Sequence, residues 1–137
     1  MRKSLVFAML VGALVMATAP TAMAAQVTPT LLAGNPSCEG GVKIEPVADG
    51  VFAVPGGTIT IDVTNGSFNF TASAGVTVFQ VIVKGGPNAN LYDYAPLGGV
   101  TSDTGLTSPL NPNTGRPFGL SHLCFFTDEK KPPPPPK

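Results

Sequence analysis

The clearest period in the chain is two. From Thr58 to Ala72, Ile59, Ile61 and Val63 alternate with Thr60 and Asp62, Asn65-Gly66 follows, and Phe68 and Phe70 then alternate with Asn69 and Thr71. Asn-Gly between two alternating runs predicts a hairpin with a type I′ turn, because that turn needs positive φ at both central residues. The register follows from the turn. Thr64 faces Ser67, Val63 faces Phe68 and Ile61 faces Phe70 on an apolar face, while Asp62 faces Asn69 and Thr60 faces Thr71 on the wet one. A slip of one residue would mix the two faces.

The run from Val76 to Lys84 has a different pattern, with Val76, Val78 and Ile82 on one side and Phe79, Val81 and Val83 on the other. A strand apolar on both faces belongs in the middle of a structure, and Gly85-Gly86-Pro87 ends it. Weaker strands are expected at Val42 to Val47, Val51 to Val54, Asn90 to Ala95 and Leu120 to Phe126. Pro46 and Pro55 place the first two near an edge or at strand ends, since proline cannot donate to a ladder. Between Pro96 and Pro117 the chain is rich in Gly, Ser, Thr, Asn and Pro. This reads as an Ω-like excursion pinned by Leu97, Leu106, Leu110 and Phe118. No segment after residue 24 has helical periodicity. The expected fold is all-β: an Ig-like or jelly-roll-like antiparallel β-sandwich of about seven strands.

The first 24 residues stand apart from this pattern. Arg2 and Lys3 precede an apolar run from Leu5 to Met16, Pro20 breaks it, and Ala22-Met23-Ala24 has the small-x-small form of a cleavage site. The reading is an export signal cleaved after Ala24, because the run is short of the roughly 20 residues that span a bilayer. Residues 1–24 are thus signal, 25–127 the β-sandwich domain, and 128–137 a charged and Pro-rich tail. Pro132 to Pro136 would form a polyproline II rod of roughly 16 Å. The product is expected to be soluble and exported, extracellular or on the cell surface, with no membrane insertion after cleavage.

Composition narrows the function classes. Without Arg2 and Lys3 the 113 residues that remain (137 − 24) carry six basic and eight acidic groups, a net charge of −2. A weakly acidic chain with no basic cluster argues against nucleic acid as a partner. Cys38 and Cys124 are the two cysteines, and in an oxidising compartment they are expected to bond. Their bridge would join the first and last strand regions and close a loop of about 86 residues, worth roughly 4 to 5 kcal/mol in the chain-entropy model.

The segments Val81 to Asn90 (Val-Ile-Val-Lys-Gly-Gly-Pro-Asn-Ala-Asn) and Gly119 to Phe125 (Gly-Leu-Ser-His-Leu-Cys-Phe), with the Pro109 to Phe118 run between them, resemble a family of bacterial secreted or surface-displayed β domains. In that family a Lys-Gly-Gly segment precedes an aromatic strand and a Gly-Leu-Ser-His segment leads into a final cysteine-bearing strand. The resemblance covers about Asn35 to Phe126. It implies fold and location, and relatives often carry a Pro-rich segment leading to an anchor. It implies no active site.

Candidate chemistry is sparse. His122 is the single histidine, and a hydrolase would pair it with Ser121 and Asp103. Neighbouring residues on a strand point to opposite faces, so His122 is read instead as a structural residue at the start of the last strand. One histidine, two bridged cysteines and scattered carboxylates predict no metal site and no cofactor. The Gly-Gly pairs at positions 40, 56, 85 and 98 lack a strand-to-helix context and read as turns. Tyr92 and Tyr94 share one face of a strand with Asp93 on the other. They are either a stacking platform, forming with His122 a candidate ligand surface, or part of the core. The expected function is a non-enzymatic structural or interaction module with an extracellular protein or glycan partner. The alternatives are a glycan-binding module using Tyr92, Tyr94 and the 96–117 loop, and a small secreted hydrolase.

Overall fold

A computed structural model of the chain describes residues 25–128. The expected signal at 1–24 and the Pro-rich rod at 132–136 lie outside these residues. Eleven strands run through the described part, all paired antiparallel: β1 (Thr30–Ala33), β2 (Val42–Ile44), β3 (Gly50–Val54), β4 (Gly57–Thr64), β5 (Ser67–Ala72), β6 (Gln80–Gly85), β7 (Asn88–Asp93), β8 (Ser102–Thr107), β9 (Leu110–Asn111), β10 (Arg116–Pro117) and β11 (His122–Phe126). One sheet has the order β1-β7-β6-β11-β2 and a second the order β3-β4-β5-β8, with β9 and β10 forming a small hairpin of their own.

The β4–β5 hairpin has the register its turn predicts, with Thr64 opposite Ser67, Val63 opposite Phe68 and Ile61 opposite Phe70. Asn65 and Gly66 hold φ of 46° and 84°, the left-handed pair of a type I′ turn. Its apolar face carries Ile59, Ile61, Phe68 and Phe70, all fully buried. These meet Val81 and Val83 of β6, Tyr92 of β7, and Leu123 and Phe125 of β11 in one core between the two sheets. Phe125 sits edge-on to both Phe68 and Phe70, with ring centroids 6.4 and 5.3 Å apart. The sandwich is therefore closed by aromatic side chains from both layers.

Four expectations need correction. The strand expected from Val76 begins only at Gln80. Val76 and Val78 are buried with Val81 and Val83 in the same core, so the chain changes face near Phe79 instead of alternating through it. The Ω-like excursion contains a 3-10 turn at Ala95–Leu97, the strand β8 and the β9–β10 hairpin. A bulge hides β8 from a period-two reading: Phe68 pairs with Leu106 and Phe70 with Asp103, so Thr104 and Gly105 together oppose Asn69. Gly105 N–H donates to Asn69 Oδ1 across the bulge at 2.9 Å. The third correction is β1, an additional short edge strand. The fourth is the strand count, which exceeds seven.

The disulfide forms as expected, Cys38 to Cys124, with Cα atoms 5.6 Å apart and a sequence separation of 86. Its place in the topology is more specific than a link between terminal strands. β1 and β2 are consecutive in the chain but lie at opposite edges of the five-stranded sheet. Residues 34–41 must therefore cross the whole sheet, roughly 19 Å at about 4.8 Å per strand spacing. They do so on the face turned away from the second sheet, where Cys38 and Leu32 pack on Ile82, Ala89, Leu91, Cys124 and Phe126. Gly34 N–H, at the start of this strap, donates to Asn88 Oδ1, and Pro36, two residues on, is buried. Ile82 is apolar and outward-facing because the strap covers it.

Candidate functional site

Both candidate tyrosines are core residues. Tyr92 and Tyr94 project from β7 and its extension toward the second sheet, with 2% and 0% of their surface exposed. This corrects the platform reading: β8 of the facing sheet covers the rings. Their hydroxyls bolt the two sheets together. Tyr92 Oη donates to Thr107 O at 3.2 Å and accepts from Thr107 N–H at 3.0 Å. Tyr94 Oη donates to Asp103 Oδ2 at 2.7 Å, and its ring lies edge-on to Phe70. Burial first, and then the bond to Asp103, hold the Tyr94 hydroxyl far above the ordinary phenol range. It remains a permanent donor.

Asp103 is the centre of this arrangement. Its carboxylate accepts from Tyr94 Oη, from its neighbour Thr104 N–H at 2.8 Å, and from Gln26 N–H through both oxygens at 3.0 and 3.1 Å. Gln26 Nε2 donates to Ser102 O at 2.8 Å, so the N-terminal segment is tied to β8 by main chain and side chain together. None of these bonds reaches His122 or Ser121. The Ser121, His122 and Asp103 constellation is not assembled.

His122 opens β11 and lies opposite Lys84 of β6. It shares the strap-covered side with Cys124 and Phe126 and has 6% of its surface exposed, so it too is no open ligand surface. Burial pushes its pKa below the ordinary value and Lys43 pushes it further down; Glu45 opposes, and Lys84 adds a smaller lowering. An unfolded histidine takes up a proton near pH 6.5, where the folded one resists it. The stability gained by keeping His122 neutral is therefore complete above about pH 6.5 and is lost as pH falls below it. Urea melts from pH 7.5 to 5 are expected to show falling stability, with a shallower decline in His122→Gln. Equal slopes in the two proteins would count against this assignment.

An accessible recess lies elsewhere. An open groove of about 370 Å³ is lined by Gln26, Thr77, Gly98, Gly99, Val100, Thr101 and Ser102. It forms because the chain leaves the 3-10 turn through Gly98 and Gly99, with φ of 81° and 88°. A Cβ at Gly99 would strike Thr77 and the Phe79 ring, so only glycine lets the backbone come this close. Val100 then bridges to Val78. The groove offers hydroxyls and main-chain polar groups, and none of its lining residues ionises. It can hold a ligand by hydrogen bonds but supplies no general acid or base.

The sequence marks Gly98-Gly99 as a turn and offers Asp103 as a triad member, but it singles out neither Gln26 nor the groove. The groove's one signal is the polar, glycine-rich composition of the stretch after Pro96, and Gln26 has none. Among the described residues no cluster of three or more His, Cys, Asp or Glu side chains is arranged to hold a metal ion. No helix there is long and apolar enough to cross a membrane. Comparison of the chain with family models, curated proteins and solved structures gives no match.

Proposed function

We propose that the chain is a secreted or cell-surface, non-enzymatic module with a structural or interaction role. The observation that carries this reading is the Cys38–Cys124 bridge, which pins a strap across an apolar sheet face. Such a bond persists in oxidising compartments and is rare in reducing ones. The Arg2 to Ala24 pattern supports the same location, as does the likeness of the Val81 to Asn90 and Gly119 to Phe125 segments to bacterial secreted β domains. In this reading the tail 128–137 is a spacer that holds the domain away from its point of attachment.

The non-enzymatic part rests on how the reactive groups are used. Asp103 and both tyrosines hold the sheets together, and His122 is buried beside the strap. A partner that meets the groove does so through uncharged hydrogen-bonding groups. The glycan-binding alternative loses the Tyr92 and Tyr94 platform, and with it the stacking that would have given a sugar its main apolar contact. Fractionation of the native source, followed by thiol alkylation and mass spectrometry, is the test. The expected result is a protein outside the cytoplasm with both cysteines bridged. A cytoplasmic protein with two free thiols would refute the proposal.

A further inference from the structure

The chain joins the core at Ala25. Ala25 and Val27 pack against the inter-sheet cluster, and Gln26 N–H between them donates to both oxygens of Asp103. Asp103 has 4% of its surface exposed. Its described partners are a hydroxyl and two main-chain amides. The ion pair among the described residues, Lys43 with Glu45, lies elsewhere. A buried carboxylate removed from water is best compensated by a positive charge as well as by hydrogen bonds.

That charge has a source one residue away. The nitrogen of Ala25 is within about 3.6 Å of the Gln26 nitrogen along the chain, and the Gln26 nitrogen is 3.0 Å from Asp103 Oδ1. The Ala25 nitrogen therefore lies within about 7 Å of the carboxylate. Ala22-Met23-Ala24 places the expected cleavage directly before this nitrogen. Hydrolysis of the Ala24–Ala25 bond adds one water. The carboxylate leaves with Ala24, and the nitrogen remains on Ala25 as an amine with an ordinary pKa of about 7.7 to 8.0. At neutral pH it is mostly an ammonium.

We propose that the α-ammonium created by cleavage after Ala24 is the counter-ion of Asp103, so that removal of the leader completes the electrostatics of the domain. The proposal deepens the export reading and rests on it. Before cleavage the same nitrogen is a neutral amide and offers no charge. The precursor is then less stable than the mature chain through this contact, and the final gain in stability comes only after processing. Tyr94 is the second titratable group facing this nitrogen's partner, and it stays protonated, so it does not compete for the charge.

Three chains test the idea: one beginning at a free Ala25, released from a fusion by a protease that cuts before it; one with Gly-Ser ahead of Ala25; and one with Ala25 acetylated. The free-amine chain is expected to melt about 4 °C or more above the other two, and Asp103→Asn to remove the difference. Equal melting temperatures in the three Asp103 chains would overturn the proposal. Because Asp103→Asn bears on the fold, acylation of the amine provides a second measurement. In native buffer it is expected to be roughly tenfold slower at Ala25 than at the Gly-Ser extension, through local protection, and equally fast in urea. Equal rates in buffer would overturn the docking. The intact mass of the naturally exported protein reports separately on export: a start at Ala25 supports the natural role, and another start removes it whatever the melting temperatures show.

Discussion

Removing the bridge with Cys38→Ala and Cys124→Ala is expected to cost about 4 to 5 kcal/mol in the chain-entropy model for a loop of this length. The net stability of a domain is typically about 5 to 15 kcal/mol, so the variant should be close to unfolding at ordinary temperature. Its midpoint should fall by roughly 20 °C or more. The loss has a local part as well. Cys124 is fully buried, and Cys38, like Leu32, packs against its cluster with Ile82, Ala89, Leu91 and Phe126. Without the bond the strap is free to lift, and an apolar face meant to be covered meets water. Urea denaturation with and without reductant, followed by binding of a hydrophobic dye, checks both parts. An unchanged urea midpoint would show that the strap holds without its bond.

Phe125→Ala has the second large expected effect. Its ring has no exposed surface, and it stands edge-on to Phe68 and Phe70, which come from the opposite sheet. Truncation leaves a cavity where the two layers meet, and such losses cost about 3 to 5 kcal/mol. Each edge-on contact contributes about 0.5 to 1.5 kcal/mol beyond the area it buries. Phe125→Leu should recover a large part of the loss by filling the space without restoring the ring contacts. Val51→Ala is the control: Val51 is 65% exposed on the edge strand β3, and its loss should stay within about 0.5 kcal/mol. Calorimetry of the three variants gives the ranking. A Phe125→Ala protein as stable as Val51→Ala would contradict the packing described here.

What was legible in the chain depended on whether the cause was local. The β4–β5 hairpin was readable residue by residue, because Asn65-Gly66 sets the turn and the period-two pattern on either side admits one register. The bridge was readable because Cys38 and Cys124 have only each other. β8 was not, since its bulge places Asp103 and Leu106, three residues apart, on the same inward face. β1 was missed because it is a four-residue edge strand in which Leu32 is half-buried and its neighbour Leu31 is 59% exposed, so two adjacent leucines give no alternation. Tyr92 and Tyr94 were correctly put on one face, but which face is core depends on the opposing sheet. The candidate site followed the same division. Asp103 is defined by Tyr94, just after β7 of the other sheet, and by Gln26, 77 residues away in sequence, and the groove is built by three separate segments.

The strap also determines how the domain would respond to a pull. The covalent path between the ends of the described chain enters at Ala25, runs to Cys38, passes through the sulfurs to Cys124 and leaves by the end of β11. Residues 39–123 hang from that path as a closed loop and carry no tension once the chain outside it is taut. Most of both sheets, and the groove on residues 98–102, lie inside the loop. A domain tethered at its tail and tugged at its start can lengthen by little more than a dozen residues at one end and a few at the other. A single bond thus shields the groove walls at Thr77 and residues 98–102, while Gln26, the remaining lining residue, lies on the loaded path and leaves first.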